Sequence, residues 1–416
     1  MPHNQEAAMD AAAEKPPQLI KVLFLFMVAH MMHHLVTALG VPLLPLIRSE
    51  FTLDYTQAGL LMSAFPVSYG IGQLACGWLG DFFSRRKLLL LGLAGPALAS
   101  LAVGLSPSYM MVAVCMVGMG LTGGGYHPAA SPLIYASVPE KHLGKALGMH
   151  IIGGAASFFL APLVGVAIAL SFGWRGAFIG LAVPTFLFGI IFNFLLRGKE
   201  RARAKEPKAP AEATTRPAAP QGWLPRLVII LVIASVTQAV LQSAVPFVPL
   251  YMVDYFKVDP KTAAVLLALV YSAGLWAAPL GGYISDRLGT VPVLLAVCLA
   301  SGPVIFLLNV VPYGVGFWAL LVLIGMVMIM RAPIAEAFLV AEVPERYRST
   351  ILGVYFFSAM EGGGVLTPLM GYLIDTFGFY TTFSLSSAFL VVFVLLGIAL
   401  LRVLKRRGGR PQAERS

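Results

Sequence analysis

The sequence predicts an all-α membrane protein with twelve transmembrane helices in two pseudo-twofold-related six-helix halves around a central cavity. Composition is the first observation behind this fold class. Of 416 residues, 58% are hydrophobic and only 12% are charged, which is too little polar surface to cover a soluble globule of this size. The second observation is a series of long apolar stretches separated by short charged loops. Each stretch supplies the roughly 20 residues that a hydrocarbon layer of about 30 Å requires.

An internal repeat is the third observation. The motif VPxxPL at 41–46 returns at 245–250, and GxxxD at 77–81 returns at 282–286. Gly120 and Pro128 return in the same register, as Gly325 and Pro333. A single register with slips of at most one residue indicates two similar halves, an arrangement typical of membrane transporters.

The twelve predicted spans follow from the apolar stretches. They must be helical, because they lack the alternating period of barrel strands and every buried amide needs a partner within its own segment. They lie near 20–46, 57–80, 87–105, 109–135, 143–171, 174–196, 227–253, 260–285, 291–311, 314–341, 349–377 and 380–402.

The loops and tails predict the topology. We expect halves at 20–196 and 227–402, a cytoplasmic linker at 197–222, and cytoplasmic tails at 1–19 and 403–416. Of the 29 lysines and arginines, 24 fall on one side of the predicted spans and four on the other, with Arg331 inside a span. This bias places both termini in the cytoplasm. It also accounts for most of the net charge of +10, so no nucleic-acid partner is predicted.

Two loop motifs carry a family resemblance. GWLGDFFSRRK at 77–87 and GYISDRLG at 282–289 resemble the loop signature of the major facilitator superfamily, G-x-L-x-D-r-x-G-r-[RK]. Phe82 stands where that signature usually has Arg, and Ser84 where it usually has Gly. The resemblance covers nearly the whole chain. Within it, the segments 29–51, 123–131 and 151–165 are similar to the fosmidomycin-resistance branch of drug and metabolite exporters.

The loop signature predicts a set of gating residues. Gly77 is expected to let one helix end approach its neighbour, and Asp81 to cap a helix or pair with a cation. The resemblance implies that Asp81 and Arg85 belong to a charge cluster that latches the cytoplasmic face. The alternative is that these charges only set the topology. The remaining members of the set are Arg86, Gly282, Asp286 and Arg287, with Glu140, Arg175 and Glu345 as weaker candidates.

Three charged residues are predicted to lie deep inside spans, away from the membrane surfaces: Arg331, Glu336 and Glu361. A charge at mid-bilayer costs roughly 2.5–3.5 kcal/mol, so such residues usually face a cavity or a partner. The guanidinium fork of Arg331 would suit a carboxylate or phosphonate on a substrate. Alternatively, Glu336 or Glu361 neutralises it, although Arg331 and Glu336 would lie about 140° apart on a regular helix. We predict Glu361 as the first proton carrier of the second half and Glu336 as the second.

Histidines form a stripe on the first span. His30, His33, His34 and Thr37 fall on one helix face, which we expect to line the cavity with Tyr126 and His127 of the fourth span. The histidines could carry a coupling proton, with His34 as the candidate, donate hydrogen bonds to a substrate, or bind a metal with His127. Each one could also be purely structural. Gln238 and Gln242 place neutral polar groups on the seventh span. The interpretation assigns no metal site.

These features favour a secondary active transporter that moves a small organic solute by alternating access. No glycine run has the context of a phosphate-binding loop, so we assign no ATP site and no cofactor, and expect a proton gradient to drive transport. Export of a drug-like or anionic compound is favoured. Uptake of a carboxylate or other organic anion, or a non-transporting receptor, are the alternatives. No nucleophile has an aligned base, so an enzyme is not predicted. We expect a monomer in the inner membrane, with lipid, protons and a small-molecule substrate as its partners.

Overall fold

The computed structural model describes residues 16–80, 82–138, 142–203, 223–343 and 345–408. Throughout these ranges the chain is helical apart from short connections, and they contain no strand, which confirms the predicted all-α class. Asp81, Glu140, most of the predicted linker and parts of both tails lie outside the described residues.

Within the described residues, seven helices precede Trp223. Most of the connections between them are short, as the closely spaced apolar stretches predicted. Their bounds are α1 Pro16–Thr37, α2 Gly40–Phe51, α3 Tyr55–Leu79, α4 Arg85–Gly104, α5 Tyr109–Gly123, α6 Tyr126–Ser137 and α7 Leu143–Arg203.

Seven further helices follow from Trp223 onwards in the part of the chain that the structure describes. A 3₁₀ turn at Ala273–Leu275 separates the third and fourth of them. Their bounds are α8 Trp223–Ala244, α9 Phe247–Asp254, α10 Pro260–Ser272, α11 Ala277–Leu288, α12 Thr290–Leu307, α13 Val315–Glu342 and α14 Glu345–Gly408.

The two longest helices each break at one glycine. α7 contains 61 residues, which would extend about 90 Å if straight, roughly three times the hydrocarbon thickness. Its backbone leaves the helical region at Gly173, where φ is 69° and ψ is 174°. α14 does the same at Gly378, with φ 76° and ψ 169°. Only glycine adopts this conformation easily. Both breaks coincide with predicted boundaries between consecutive spans.

The described residues contain nine helical segments long and apolar enough to cross a membrane, or ten if the bent pair Pro260–Leu275 and Ala277–Leu288 counts as one span. Two of these segments, Leu143–Arg197 and Glu361–Leu404, contain the glycine breaks. The multi-pass membrane architecture is therefore confirmed. The exact number of twelve spans stays a prediction.

Several predicted spans consist of two helices in series. The fourth span is α5 followed by α6, which begins at Tyr126 just after Gly124 and Gly125. Glycine at this break permits close packing, because a Cβ on Gly124 would overlap the backbone of Gly72 in α3. The break sets the positions of Tyr126 and His127 at the start of α6.

The first of two compact units comprises Met1–Leu39, Ser68–Ala161 and Ser171–Ala209. Its core contains large side chains from α1, α4, α6 and α7, including Phe26, Leu93, Tyr126 and Phe192. Phe26 and Phe192 meet edge to face, with ring centroids 5.2 Å apart.

The second unit comprises Gly40–Val67, Pro162–Leu170 and Pro210–Ser416. Its core is built mainly from α8 to α14 and includes Tyr251, Leu294, Phe317 and Phe383. The stretches 40–67 and 162–170 thus group with this unit although they belong to the first sequence repeat. The division into halves at the linker remains a prediction.

Candidate functional site

Five histidines lie together in the first unit. His30, His33 and His34 come from α1, His127 from α6 and His150 from α7. We call this set the histidine cluster. The rings of His30 and His150 stack with centroids 4.0 Å apart, and the His30 and His127 centroids are 5.2 Å apart. The predicted stripe therefore does meet His127. The sequence interpretation missed His150.

Tyr126 packs inside the histidine cluster. Its ring stacks on His33 at 4.5 Å and on His30 at 5.4 Å between centroids. The side chain is fully buried, and its hydroxyl has no hydrogen-bond partner among the residues that the structure describes. An unsatisfied buried hydroxyl costs about 1–3 kcal/mol. The Tyr126 hydroxyl is thus a buried polar group whose hydrogen bond a ligand or a water could supply.

Glycines make room for the cluster. A Cβ on Gly154 would lie 2.5 Å from Cε1 of His30, and one on Gly92 would lie 2.5 Å from the backbone nitrogen of Tyr126. Gly92 and Gly154 therefore permit the close packing of the cluster. Gly118 differs, because a Cβ there would have no heavy atom within 4 Å among the described residues.

Hydrogen bonds fix the protonated nitrogen of two histidines. The Nδ1 of His30 donates to the carbonyl of His150 at 2.6 Å, and the Nδ1 of His150 donates to the carbonyl of Phe26 at 3.3 Å. A carbonyl oxygen only accepts, so in the neutral rings each Nε2 carries a lone pair. Both Nε2 atoms are buried and have no partner in the described part of the chain.

His33 is different, because both of its nitrogens are engaged. Its Nδ1 donates to the carbonyl of Gly92 at 2.8 Å, so its Nε2 accepts from the hydroxyl of Tyr69 at 3.2 Å. Thr37 is also satisfied locally, since its hydroxyl donates to the His33 carbonyl of its own helix at 3.1 Å. The hydrogen bonds of His33 and Thr37 therefore support a structural role more than a role in substrate binding.

A second polar group surrounds Arg331 in the second unit. The Arg331 side chain is 1% exposed. Its Nη1 donates to the Tyr355 hydroxyl at 2.6 Å and its Nε donates to Oε1 of Gln238 at 3.2 Å. Among the described residues no carboxylate forms an ion pair with it, so the predicted alternative of neutralisation by Glu336 or Glu361 is not what the structure contains. The sequence interpretation did not identify Tyr355 as a partner of Arg331.

The Arg331 group and the histidine cluster occupy equivalent positions in the two repeats. An offset of 205 places Arg331 on Tyr126 and Tyr355 on His150, and an offset of 204 places Gln238 on His34. Each unit thus holds a buried polar set contributed by equivalent helices. This register was the signal that could have identified His150 and Tyr355 from the sequence.

The predicted proton carriers of the second half differ in burial. Glu361 is 6% exposed, and its Oε2 has no hydrogen-bond partner in the described ranges. Glu336 is exposed on α13. Gln242 is half-buried, and a Cβ on Gly363 would overlap its side chain. The geometry favours Glu361 over Glu336.

A polar network that the sequence interpretation missed lies elsewhere in the second unit. Arg48 and the Tyr55 hydroxyl both donate to Oδ2 of Asp254, at 2.6 Å and 2.5 Å. Asp375 accepts from the backbone nitrogens of Tyr55 and Thr56 at 3.0 Å and 2.7 Å, and so caps the start of α3. We call these five residues the Asp254–Asp375 network.

Comparison with known proteins identifies the family. The sequence profile described as Major Facilitator Superfamily matches residues 26–368 and again 227–416. The chain belongs to this superfamily. The chain is similar to the multidrug resistance protein MdtG of Enterobacter lignolyticus (strain SCF1), to which it is 28% identical over 355 residues covering 83% of this chain and 82% of MdtG.

Two further likenesses extend over almost the whole chain. The hexuronate transporter of Bacillus subtilis (strain 168) is 23% identical over 409 residues, covering 94% of this chain and 95% of that protein. The crystal structure of a bacterial homologue of the human lysosomal transporter Spinster, in an inward-facing and occupied conformation, has a TM-score of 0.75 at 18% identity. It covers 94% of this chain and 98% of that one, which shows the superfamily fold.

The structure describes only part of the first copy of the superfamily loop signature, at 77–87. Asp81 lies outside the described residues, and Arg85, four residues later in the sequence, is exposed. Arg86 donates to the carbonyl and to Oδ1 of Asn193, both at 3.1 Å. The expected close approach at Gly77 is wrong for this structure, because a Cβ there would have no described heavy atom within 4 Å. Arg86 thus anchors the loop to α7, and the Asp81 latch stays a prediction.

The second copy of the superfamily signature, like the first, has no close packing at its glycine. A Cβ on Gly282 would have no described atom within 4 Å. Asp286 is exposed and forms no ion pair with the described residues. Arg287 places its guanidinium 4.5 Å from the ring centroid of Tyr283. The side chain of Glu345, a weaker candidate for the gating set, lies outside the described residues.

Arg175 does not take the role that the superfamily resemblance suggested. Its Nη2 and Nε donate to the carbonyl of Ser106, at 2.9 Å and 3.3 Å, and its guanidinium lies 4.3 Å from the ring of Trp174. Ser106 belongs to the connection between α4 and α5, at the opposite end of α4 from Arg85. Arg175 therefore ties loops at the other end of the first unit, and it is not part of a latch with Arg85.

Proposed function

We propose that this superfamily member is a secondary active transporter that moves a small organic anion by alternating access, with protons as the coupling ion. The observation that carries the proposal is the buried Arg331, whose described hydrogen-bond partners are the neutral groups of Gln238 and Tyr355. An anionic solute would supply the missing negative charge.

The energetics of Arg331 favour an anionic ligand. A buried charge without a counter-ion costs several kcal/mol after relaxation, and ionisable groups in membrane spans generally mark a substrate or ion pathway. Tyr355 and Gln238 occupy Nη1 and Nε and so orient the guanidinium plane. A planar guanidinium with donors in a fixed fork matches two oxygens of a carboxylate, sulfonate or phosphonate.

Glu361 supports the coupling to protons. It is a buried carboxyl group with an oxygen that has no partner within the described chain, and it lies in a membrane-spanning segment. Carboxyl groups so placed form proton relays in many pumps and transporters. We propose Glu361 as the principal proton carrier, with His34 and Glu336 as secondary carriers.

Export of a drug-like or anionic compound is the favoured direction. The likeness to a protein named for multidrug resistance and the narrower resemblance to the fosmidomycin-resistance branch support it. Uptake of an organic anion is the second candidate, supported by the likeness to a hexuronate transporter over 94% of the chain. We further propose a monomer in the inner membrane, with both termini cytoplasmic and Asp81 and Arg85 latching the cytoplasmic face.

Ligand-induced stabilisation tests the anion proposal. The purified protein would be heated in detergent with pairs of solutes, each an organic acid and its uncharged amide. A ligand at 100 times its Kd stabilises the folded state by about 2.7 kcal/mol. We expect at least one acid, and not its amide, to raise the unfolding temperature of the wild type.

Two variants make this test specific. Arg331→Lys keeps the charge and removes the fork of donors, so the acid should stabilise it far less. Arg226→Lys is the matched control, because the Arg226 side chain is 50% exposed and lies 3.8 Å from Glu342. Equal stabilisation by acid and amide, or an undiminished effect in Arg331→Lys, would refute the anion proposal. Specific binding without flux in proteoliposomes would favour a receptor.

A further inference from the structure

We propose that His30, His127 and His150 form a binding site for a divalent transition-metal ion of the Zn²⁺ class. The site lies within the first unit and does not depend on Arg331, so it extends the proposed function and does not rest on it. The sequence left metal binding with His127 open as one of three roles of the histidine stripe and assigned no metal site, and His150 was not among its candidates.

The geometry of the three histidines is the first argument. One nitrogen from each ring can be chosen so that all three lie within 4.8 Å of one another. A tetrahedral Zn²⁺ with Zn–N bonds of about 2.0–2.1 Å needs donor atoms about 3.3 Å apart. Side-chain rotations that bring the nitrogens up to about 1.5 Å closer, and that tilt the stacked rings of His30 and His150 until their in-plane lone pairs point at one ion, would complete the site. The ligands come from α1, α6 and α7, so the ion would join three helices.

The hydrogen bonds of the cluster are the second and independent argument. His30 and His150 each donate Nδ1–H to a backbone carbonyl, and each keeps a buried Nε2 lone pair without a described partner. A metal-ligating histidine usually has this arrangement, in which the second nitrogen donates to a carbonyl and so fixes the tautomer and the ring orientation. An unsatisfied buried lone pair is costly, and a metal ion bound through these two Nε2 atoms would satisfy both.

The chemistry of the donors selects the class of ion. Three neutral imidazoles suit Zn²⁺, Cu²⁺, Ni²⁺ or Co²⁺, whereas Mg²⁺ and Ca²⁺ require oxygen ligands. No carboxylate belongs to this group of three. Three nitrogen ligands leave a fourth position of a tetrahedral ion open, which is the pattern of sites that bind water or an anionic ligand.

Direct metal binding tests the proposal without any transport assay. The full-length protein would be purified with a tag that contains no histidine, stripped with a chelator and titrated with Zn²⁺ against a chromophoric competitor. Elemental analysis would give the stoichiometry, and Co²⁺ substitution would report the coordination geometry. We expect about one ion per chain, a tetrahedral Co²⁺ spectrum and no competition from excess Mg²⁺.

Substitutions assign the ion to the cluster. His127→Gln and His150→Gln each remove one ligand and should weaken Zn²⁺ binding by roughly 10-fold or more. His142→Gln is the matched control, because His142 precedes α7 and is not part of the group. Gly154→Ala keeps all three ligands but crowds the His30 ring, so it should weaken binding even if a ligand variant fails to fold.

Several results would overturn the site. These are the absence of stoichiometric Zn²⁺, an octahedral Co²⁺ spectrum, or equal affinity in the wild type, His150→Gln and His142→Gln. Size-exclusion profiles would establish that each variant is folded. Failure here would leave the anion proposal untouched, because that proposal is read from acid-specific stabilisation and from Arg331→Lys.

Discussion

Arg48 and Asp254 form an ion pair, with Nη1 of Arg48 2.6 Å from Oδ2 of Asp254. Arg48 lies in the last turn of α2 and Asp254 ends α9, and the repeated VPxxPL motif covers the start of both helices. The Tyr55 hydroxyl donates to the same carboxylate oxygen, and the Arg48 guanidinium lies 4.3 Å from the Tyr55 ring. The pair therefore joins segments of the two sequence repeats within the second unit.

A double-mutant cycle should find measurable coupling between Arg48 and Asp254. The side chains are 24% and 31% exposed, so solvent screening limits the coupling to about 0.5–1 kcal/mol. The cycle would use Arg48→Gln, Asp254→Asn and the double variant, with the free energy of unfolding measured in detergent. Arg226 and Glu342, 3.8 Å apart and 50% and 35% exposed, form the control pair and should show almost none. Equal coupling in both pairs would contradict the network.

Gly154→Ala should destabilise the protein. The added methyl group would lie 2.5 Å from Cε1 of His30, so the ring or the helix must move. Overpacking of this kind costs about 1–3 kcal/mol. The free energy of unfolding in micelles would measure it.

Gly118→Ala is the matched control for that substitution. It places the same methyl group in open space inside α5, where alanine is favoured over glycine by roughly 0.5–1 kcal/mol. The two variants should therefore shift stability in opposite directions. A stable Gly154→Ala variant would show that the His30 ring is not confined as the structure describes.

Tyr355→Phe should weaken the binding of an anionic solute. It removes the 2.6 Å hydrogen bond that orients Arg331, and hydrogen bonds to charged groups contribute about 1.5–3 kcal/mol. We expect the Kd for the acid to rise by roughly 10-fold or more. Tyr372→Phe is the control, because Tyr372 lies on the same helix and is 55% exposed. Unchanged affinity in Tyr355→Phe would show that Arg331 does not depend on Tyr355 for its orientation.

Glu361→Gln should separate proton coupling from solute exchange. The amide keeps the size of the side chain but carries no titratable proton, so accumulation driven by a pH gradient should be lost while exchange of solute across the membrane persists. Fluxes in proteoliposomes with and without the gradient would measure both. Glu342→Gln is the control, since Glu342 is partly exposed at the end of α13. Gradient-driven accumulation by Glu361→Gln would exclude Glu361 as the proton carrier.

The sequence predicted the features that depend on local pattern. The length of the apolar stretches identified the membrane-spanning helices. The backbone breaks at Gly173 and Gly378 fall at predicted boundaries between spans, and only glycine adopts the backbone conformation found there easily. The helical period of α1 placed His30, His33 and His34 on one face, and the structure brings them to His127.

Contacts between helices that are distant in the sequence could not be predicted from the local pattern. His150, Tyr355 and the Arg48–Asp254 pair depend on how distant helices pack, and a helical period does not encode such neighbours. The repeat register is a further signal for these two residues, because it aligns His150 with Tyr355. The close approach expected at Gly77 failed because a small residue permits close packing but does not require it.

The most direct test of the account is the movement of an organic acid into proteoliposomes that contain the purified protein, with a pH-sensitive dye inside. Addition of the acid should produce solute flux together with a change in internal pH, and neither should occur with the amide analogue or with Arg331→Lys. Flux of acid and amide at equal rates, or acid flux that is the same in Arg331→Lys and the wild type, would contradict an anion transporter built around Arg331.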